Sequence, residues 1–142
     1  MSIEHTCFLE LAKYSLTLNG EMWTRNAISR AYYCMYHSAL RVTNNLTPTL
    51  TEDGEKLKGG VHMRVYTAFC SGEAAAVNNV DVNAVKKIGM KLKMTHAQRV
   101  NSDYKLERKV NRITAISAVQ DAEELDIIVN QLMKFRDNSL TA

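Results

Sequence analysis

The sequence predicts an all-α fold, an antiparallel bundle of about five helices forming one domain over residues 1–142. Three observations lead there. A single proline and six glycines are too few for the turn-rich chain of a β-sandwich or barrel, and suit a handful of long helices. Apolar residues recur at helical spacing through most of the chain. With 46% apolar and 23% charged residues, the composition is globular, and the length is close to the common domain size of about 100–150 residues.

The first helix is expected over about residues 3–18, where Phe8, Leu11, Ala12, Ser15 and Leu18 share a face, with Ser2 as N-cap and Asn19-Gly20 as the stop. A second runs from Glu21 to about Thr43. Asn44-Asn45 and Pro48 then turn the chain out of helical geometry, and residues 44–55 make the longest loop. The third helix, about 55–70, offers Leu57, Val61, Val65 and Ala68 or Phe69 as its stripe. A loop through Gly72 and Asn78-Asn79 leads to Asp81, the N-cap of a fourth helix that ends near Val100. That helix points Val85, Ile88 and Leu92 inward and Lys86, Lys87, Lys91 and Lys93 outward, and Asn101-Ser102-Asp103 reads as a break or kink. The last helix, from Leu106 or Arg112 to Phe135, has the clearest pattern: Ala115, Ala118, Val119, Ala122, Leu125, Val129 and Leu132. Short connections between long amphipathic helices favour antiparallel neighbours.

No run of about 18 apolar residues occurs, so no membrane span is expected. Met1–His5 lacks a basic region followed by an apolar run, so no signal peptide is expected either. Cys7, Cys34 and Cys70 form no Cys-x-x-Cys pair and read as reduced, mostly packed thiols of a cytoplasmic protein. His5, His62 and His96 have no neighbours at metal-ligand spacing, which reads them as surface or core histidines. Neither a metal nor a cofactor is expected. Asp103, four residues after Arg99, suggests an ion pair or a cap at the helix break.

Charge is unevenly distributed. Residues 1–85 hold seven Lys/Arg against eight Asp/Glu, residues 86–112 nine against two, and residues 113–142 two against five. The basic block is suited to phosphate and equally to a solvated lysine-rich helix face.

Helix two departs from simple bundle logic. Ile28, Tyr32, Met35, Ala39 and Val42 make one apolar stripe. The opposite side collects Trp23, Asn26, Arg30, Tyr33, Cys34, His37 and Arg41. An aromatic, basic, imidazole-bearing face implies a cover: a second subunit, a nucleic acid, or both. Arg30 and His37 are seven residues apart, hence on one side of the helix and about 10 Å apart along its axis. That gap is wide for one phosphate within one chain. If two copies cross antiparallel about a two-fold axis, Arg30 of one approaches His37 of the other. Such a pair suits metal-independent RNA cleavage: an imidazole moves a proton of the ribose 2′-hydroxyl or the leaving oxygen, and a guanidinium holds the phosphate. DNA, without that hydroxyl, would be inert. Asn26, Tyr33 and Arg41 are the candidate RNA contacts. A lone Arg and His on a helix are also common as ordinary interface residues.

The run Arg25–Leu40, R-N-A-I-S-R-A-Y-Y-C-M-Y-H-S-A-L, resembles the signature of HEPN domains, in the subgroup reading roughly S-R-A-Y-Y-A-x-x-H-x-A. Arg99–Tyr104, R-V-N-S-D-Y, is similar to that subgroup's R-x-x-A-D-Y segment before the last helix. The resemblance covers most of the chain and implies a HEPN-like bundle that forms a two-fold homodimer. It further implies an endoribonuclease of the toxin–antitoxin or phage-defence kind, with Arg30 and His37 catalytic and an antitoxin or defence protein as partner. Two departures are visible. Ala31 stands where active members often carry a polar residue, and Ser38-Ala39 replaces the His-x-Tyr form. They keep open a non-catalytic HEPN module that binds a partner protein, nucleotide or RNA, and an RNA-binding protein that uses the basic block alone.

Overall fold

Helix α2 (Glu21–Leu40) is the axis of the molecule. Its stripe is why: Ile28, Tyr32, Met35 and Ala39, with Val42 in the turn that follows, are at most 1% exposed. A fully buried aliphatic side chain of this size contributes about 1.5–3 kcal/mol. The structure, a computed structural model, describes residues 3–51 and 53–141, with the side chains of Leu140 and Thr141 left out. Among those residues it consists of α1 (Thr6–Leu16), α2, α3 (Val61–Ser71), α4 (Glu73–Asn78), α5 (Val82–Tyr104) and α6 (Arg112–Thr141), and it has no strand beyond one isolated bridge, Leu50 with Lys56. None of these helices is long and apolar enough to cross a membrane.

Side-chain pairs give the helix directions. Along α1 and α2, Ser15 meets Asn26 while Phe8 meets Tyr33 and His37. Along α2 and α5, Ser29 meets Asp103 and Tyr32 meets His96. Along α5 and α6, Lys87 meets Glu124 and Lys91 meets Asp121. Each of these pairs is therefore antiparallel, and α2 and α6, both antiparallel to α5, run the same way. The core stripe of α6 is as expected, Ala115 to Leu132 being at most 8% exposed at all seven positions. Helix α3 lies so close on α5 that a Cβ on Gly89 would sit 2.4 Å from the Cys70 nitrogen and 2.7 Å from the Phe69 carbonyl carbon.

Several boundaries differ from expectation, each for a local reason. A sixth helix, α4, replaces the loop expected after Gly72. Ala74-Ala75-Ala76 supplies strong helix formers, between left-handed Gly72 and Asn79 (φ 84° and 53°). Helix α3 starts at Val61, because Gly59 (φ 90°) and the extended Gly60 precede it. Leu57 is buried from the loop, whereas Val61 is 43% exposed. Helix α2 ends at Leu40, where left-handed Asn44 and Asn45 turn the chain and the Asn45 N–H donates to the Leu40 carbonyl at 2.8 Å. Leu11 is 43% exposed, while Leu9 and Leu16 pack on the core instead. Helix α6 continues past Phe135. Ser2, the expected first cap, lies outside the described residues. Asp81 does cap α5, accepting from the Ala84 N–H at 2.9 Å.

Helix α5 does not break at Asn101-Ser102-Asp103. Arg25 reaches across from α2 and donates to the Asn101, Ser102 and Lys105 carbonyls at 3.2, 2.9 and 3.4 Å, and also to that of Arg108. Carbonyls left open at a helix C-terminus thus meet a cation. All three cysteines are free thiols, but only Cys34 is buried; Cys70 is half-buried and Cys7 exposed. Burial pushes the Cys34 thiol up to about 12.

Candidate functional site

The mixed face of α2 is covered in part by the chain itself. Helix α1 takes the middle: Cys34 is sealed, and Asn26 donates its side-chain amide to Ser15 Oγ at 2.9 Å. What remains open lies at two places, one near each end of the helix.

Near the N-terminal end, a cleft is lined by Glu21, Trp23, Arg25, Asn26, Arg30 and Asp103, among others. Arg30 is half-buried, with its guanidinium carbon 5.5 Å from the centre of the Tyr33 ring. Its Nε is buried without a hydrogen-bond partner among the described residues, and no described carboxylate pairs with the rest of the group. Behind Asp103, one of the lining residues, runs a hydrogen-bond network. Arg99, 7% exposed, donates to the Tyr33 hydroxyl at 3.0 Å and lies 3.6 Å from Asp103, which accepts from Ser29 Oγ at 3.1 Å. The ion pair expected between Arg99 and Asp103 is thus present. The bonds to Tyr33 and from Ser29 join the Arg99–Tyr104 segment to the Ser29–Tyr33 part of α2, the two stretches singled out in the sequence.

Near the C-terminal end, a second cleft is lined by Ile3, Glu4, His5, Phe8, His37, Arg41 and Asn45. His37 is exposed. Phe8 stacks on its imidazole at 5.5 Å between centres and 9° between planes, and Tyr36 meets it edge-on at 5.1 Å. Partial desolvation, with a smaller contribution from His5, holds the His37 pKa below its usual value of 6.5. Opposite stands Asp126 of α6. One of its oxygens receives Ser38 Oγ at 2.7 Å and Arg41 Nη2 at 2.9 Å, with His5 Nε2 at 2.7 Å.

Between α2, α3 and α5 lies a third group. The Tyr32 hydroxyl meets His62 Nδ1 at 2.8 Å, His62 and His96 lie 5.6 Å apart between ring centres, and Tyr36 and Tyr66 close the sides. Desolvation first, and the Arg99 charge second, lower both imidazole pKa values, and burial raises that of Tyr32 far above its usual value. Among the described residues no group of three or more His, Cys, Asp or Glu is arranged to hold a metal ion.

Of the residues singled out in the sequence, Arg30 and Asn26 line one cleft, His37 and Arg41 the other, and Tyr33 stands between, 5.9 Å from Phe8 by ring centres. The structure does not bring Arg30 and His37 together within one chain. Asn26, Tyr33 and Arg41 each have a hydrogen-bond partner inside the bundle. Sequence reasoning missed Phe8 and His5 as neighbours of His37. Phe8 was legible as an aromatic on the first helix, but nothing local announces that His5 sits beside Asp126, 121 residues away. Comparison with protein-family models, with curated proteins and with solved structures finds no match for this chain.

Proposed function

We propose that the chain is a HEPN-type, metal-independent endoribonuclease working as a two-fold homodimer, in the toxin or phage-defence setting its sequence resemblance implies. In this reading Arg30 of one subunit and His37 of the other act on a shared phosphodiester. The observation that carries it is the state of the two groups. His37 is exposed and, with its pKa lowered, neutral near pH 7, as a general base requires. Arg30 is a cation without an anionic partner among the described residues. Both are available, and they open into separate clefts of one chain. A second copy docked so that its Arg30 cleft meets the His37 cleft of the first, beside α1 rather than across it, supplies what one chain lacks.

The test is cleavage of RNA in the presence of EDTA, with 2′,3′-cyclic phosphate ends as product and DNA left intact. Arg30→Ala and His37→Ala each lower the rate by about 100-fold or more while the fold and the dimer persist. A composite site makes a further demand. Mixing the two inactive variants regenerates one good site per mixed dimer, or roughly a quarter of wild-type activity after exchange. Unaltered cleavage by both single variants rejects the catalytic assignment. A wild type that binds RNA without cutting it favours the non-catalytic module.

A further inference from the structure

Cleavage through the 2′-hydroxyl moves two protons. One leaves the attacking oxygen and one must reach the departing 5′ oxygen, and an in-line displacement holds these oxygens on opposite sides of phosphorus. A single imidazole beside one of them is badly placed to serve the other in the same step. The cleft that holds His37 contains a second imidazole. His5, in the turn leading into α1, lines it together with Phe8, Arg41 and Asn45. Asp126 fixes that ring through Nε2 at 2.7 Å and is itself held by Ser38 and Arg41. A carboxylate anchoring one nitrogen leaves Nδ1 as the nitrogen that exchanges protons. The ionisable groups around His5 are Asp126 from α6, His37 and Arg41 from the α2 side, and Glu4 in its own turn.

Building on the ribonuclease reading, we propose that His5 is the second proton-transfer residue of this site, donating to the leaving 5′ oxygen while His37 takes the proton of the 2′-hydroxyl. The 2′ oxygen forms its bond to phosphorus as the P–O5′ bond breaks. The products are a 2′,3′-cyclic phosphate and a 5′-hydroxyl, and His37 ends protonated and His5 neutral. Exchange with solvent resets both rings, and no oxidant, metal or water is consumed. Asp126 serves as the positioning residue.

A leaving group that needs no proton separates this role from a structural one. The substrates are RNA and uridine 3′-(4-nitrophenyl phosphate), in EDTA, with wild type, His5→Ala, His5→Gln and His37→Ala. His5→Gln can still donate to Asp126 and serves as the folding control. Both His5 variants are expected to cut RNA about 100-fold more slowly or worse, yet to turn over the nitrophenyl ester within a few-fold of wild type. His37→Ala, by contrast, is expected to be slow on both substrates. If the His5 variants cut RNA like wild type, or are equally impaired on both substrates, the assignment of His5 is overturned while the ribonuclease reading stands. If wild type cuts neither substrate, the ribonuclease reading fails, and the role of His5 with it.

Discussion

Tyr36 divides two regions built from the same residue types. On one side, 4.6 Å away by ring centres, His62 lies with His96, Tyr32, Tyr66 and Arg99. On the other, 5.1 Å away, His37 shares an open cleft with His5, Phe8 and Arg41. The first region is knit together: Tyr32 is bonded to His62, and Arg99 is spent on Tyr33, Asp103 and the faces of three tyrosines. In the second, Asp126 anchors one ring and the other faces solvent. Histidine, tyrosine and arginine therefore mark neither a core nor a site by themselves. What separates the regions is enclosure: the first, where Arg99 Nε is itself buried without a hydrogen-bond partner among the described residues, is held between α2, α3 and α5, whereas the second opens as a cleft.

The enclosed region depends on the close crossing of α3 and α5, so the largest expected effect comes from forcing those helices apart. Gly89→Ala places a methyl group against backbone atoms that cannot rotate away. We expect a loss of about 3 kcal/mol, the upper end of overpacking costs, read from the urea midpoint at constant slope. A midpoint within error of wild type would mean that α3 does not rest there.

Next comes the cation at the centre of the same region. Arg99→Ala strips Tyr33 and Asp103 of their shared partner and removes three ring contacts. Asp103 is partly exposed, at 29% of its side chain, which keeps the cost at about 2 kcal/mol, below that of a sealed pair. At a temperature where the variant is folded, RNA cleavage stays within a few-fold of wild type if this side is scaffold. A catalytic defect as deep as that of His37→Ala would erase the distinction between the regions.

A smaller effect sharpens the comparison through pH. His37, His62 and His96 all have pKa values lowered from 6.5, with desolvation the leading cause. The unfolded chain then binds protons more readily than the folded one just below pH 6.5. The stabilising contribution is complete above that pH and is lost as pH falls toward the folded-state values. Thermal unfolding should accordingly come earlier at pH 5 than at pH 7.5, and His62→Gln with His96→Gln should flatten that dependence more than His37→Gln. The reverse ranking would place the greater desolvation on the open side.

How far the sequence disclosed these regions follows from the range of the forces involved. The stripe of α6 and the Asp81 cap are local, repeating within a turn or two, and both were legible. The persistence of α5 through residues 101–104 was not, because the cation that holds its carbonyls, Arg25, sits 76 positions earlier. The short α4 was missed because Gly72 and Asn78-Asn79 read as one loop, although the three alanines between them favour helix. For the candidate site, helical period put Arg30 and His37 on one face of α2, whereas the covering of that face by α1 and the approach of His5 to Asp126 are tertiary facts. They leave no trace at fixed spacing.

The smallest effect concerns the basic block of residues 86–112, whose charge looked available for phosphate. Helix α6 answers part of it. Lys91 bonds to Asp121 and Glu124, both at 3.1 Å, and Lys87 lies 3.3 Å from Glu124. Burial draws the Lys91 pKa down, but the bonds it donates to Asp121 and Glu124 outweigh that and the net shift is upward, so the ammonium stays charged at pH 7. Its side chain is 15% exposed and that of Asp121 31%, which leaves solvent free to screen the pair. A double-mutant cycle on Lys91→Ala and Asp121→Ala should give a coupling of about 1 kcal/mol or less, shrinking as salt rises. The same variants test what the block does. Where α5 lysines serve to dock α6, Lys91→Ala leaves RNA affinity and its salt dependence unchanged. A salt slope reduced by about one for this single substitution would instead make Lys91 a phosphate contact and extend the open region of the molecule from α2 to α5.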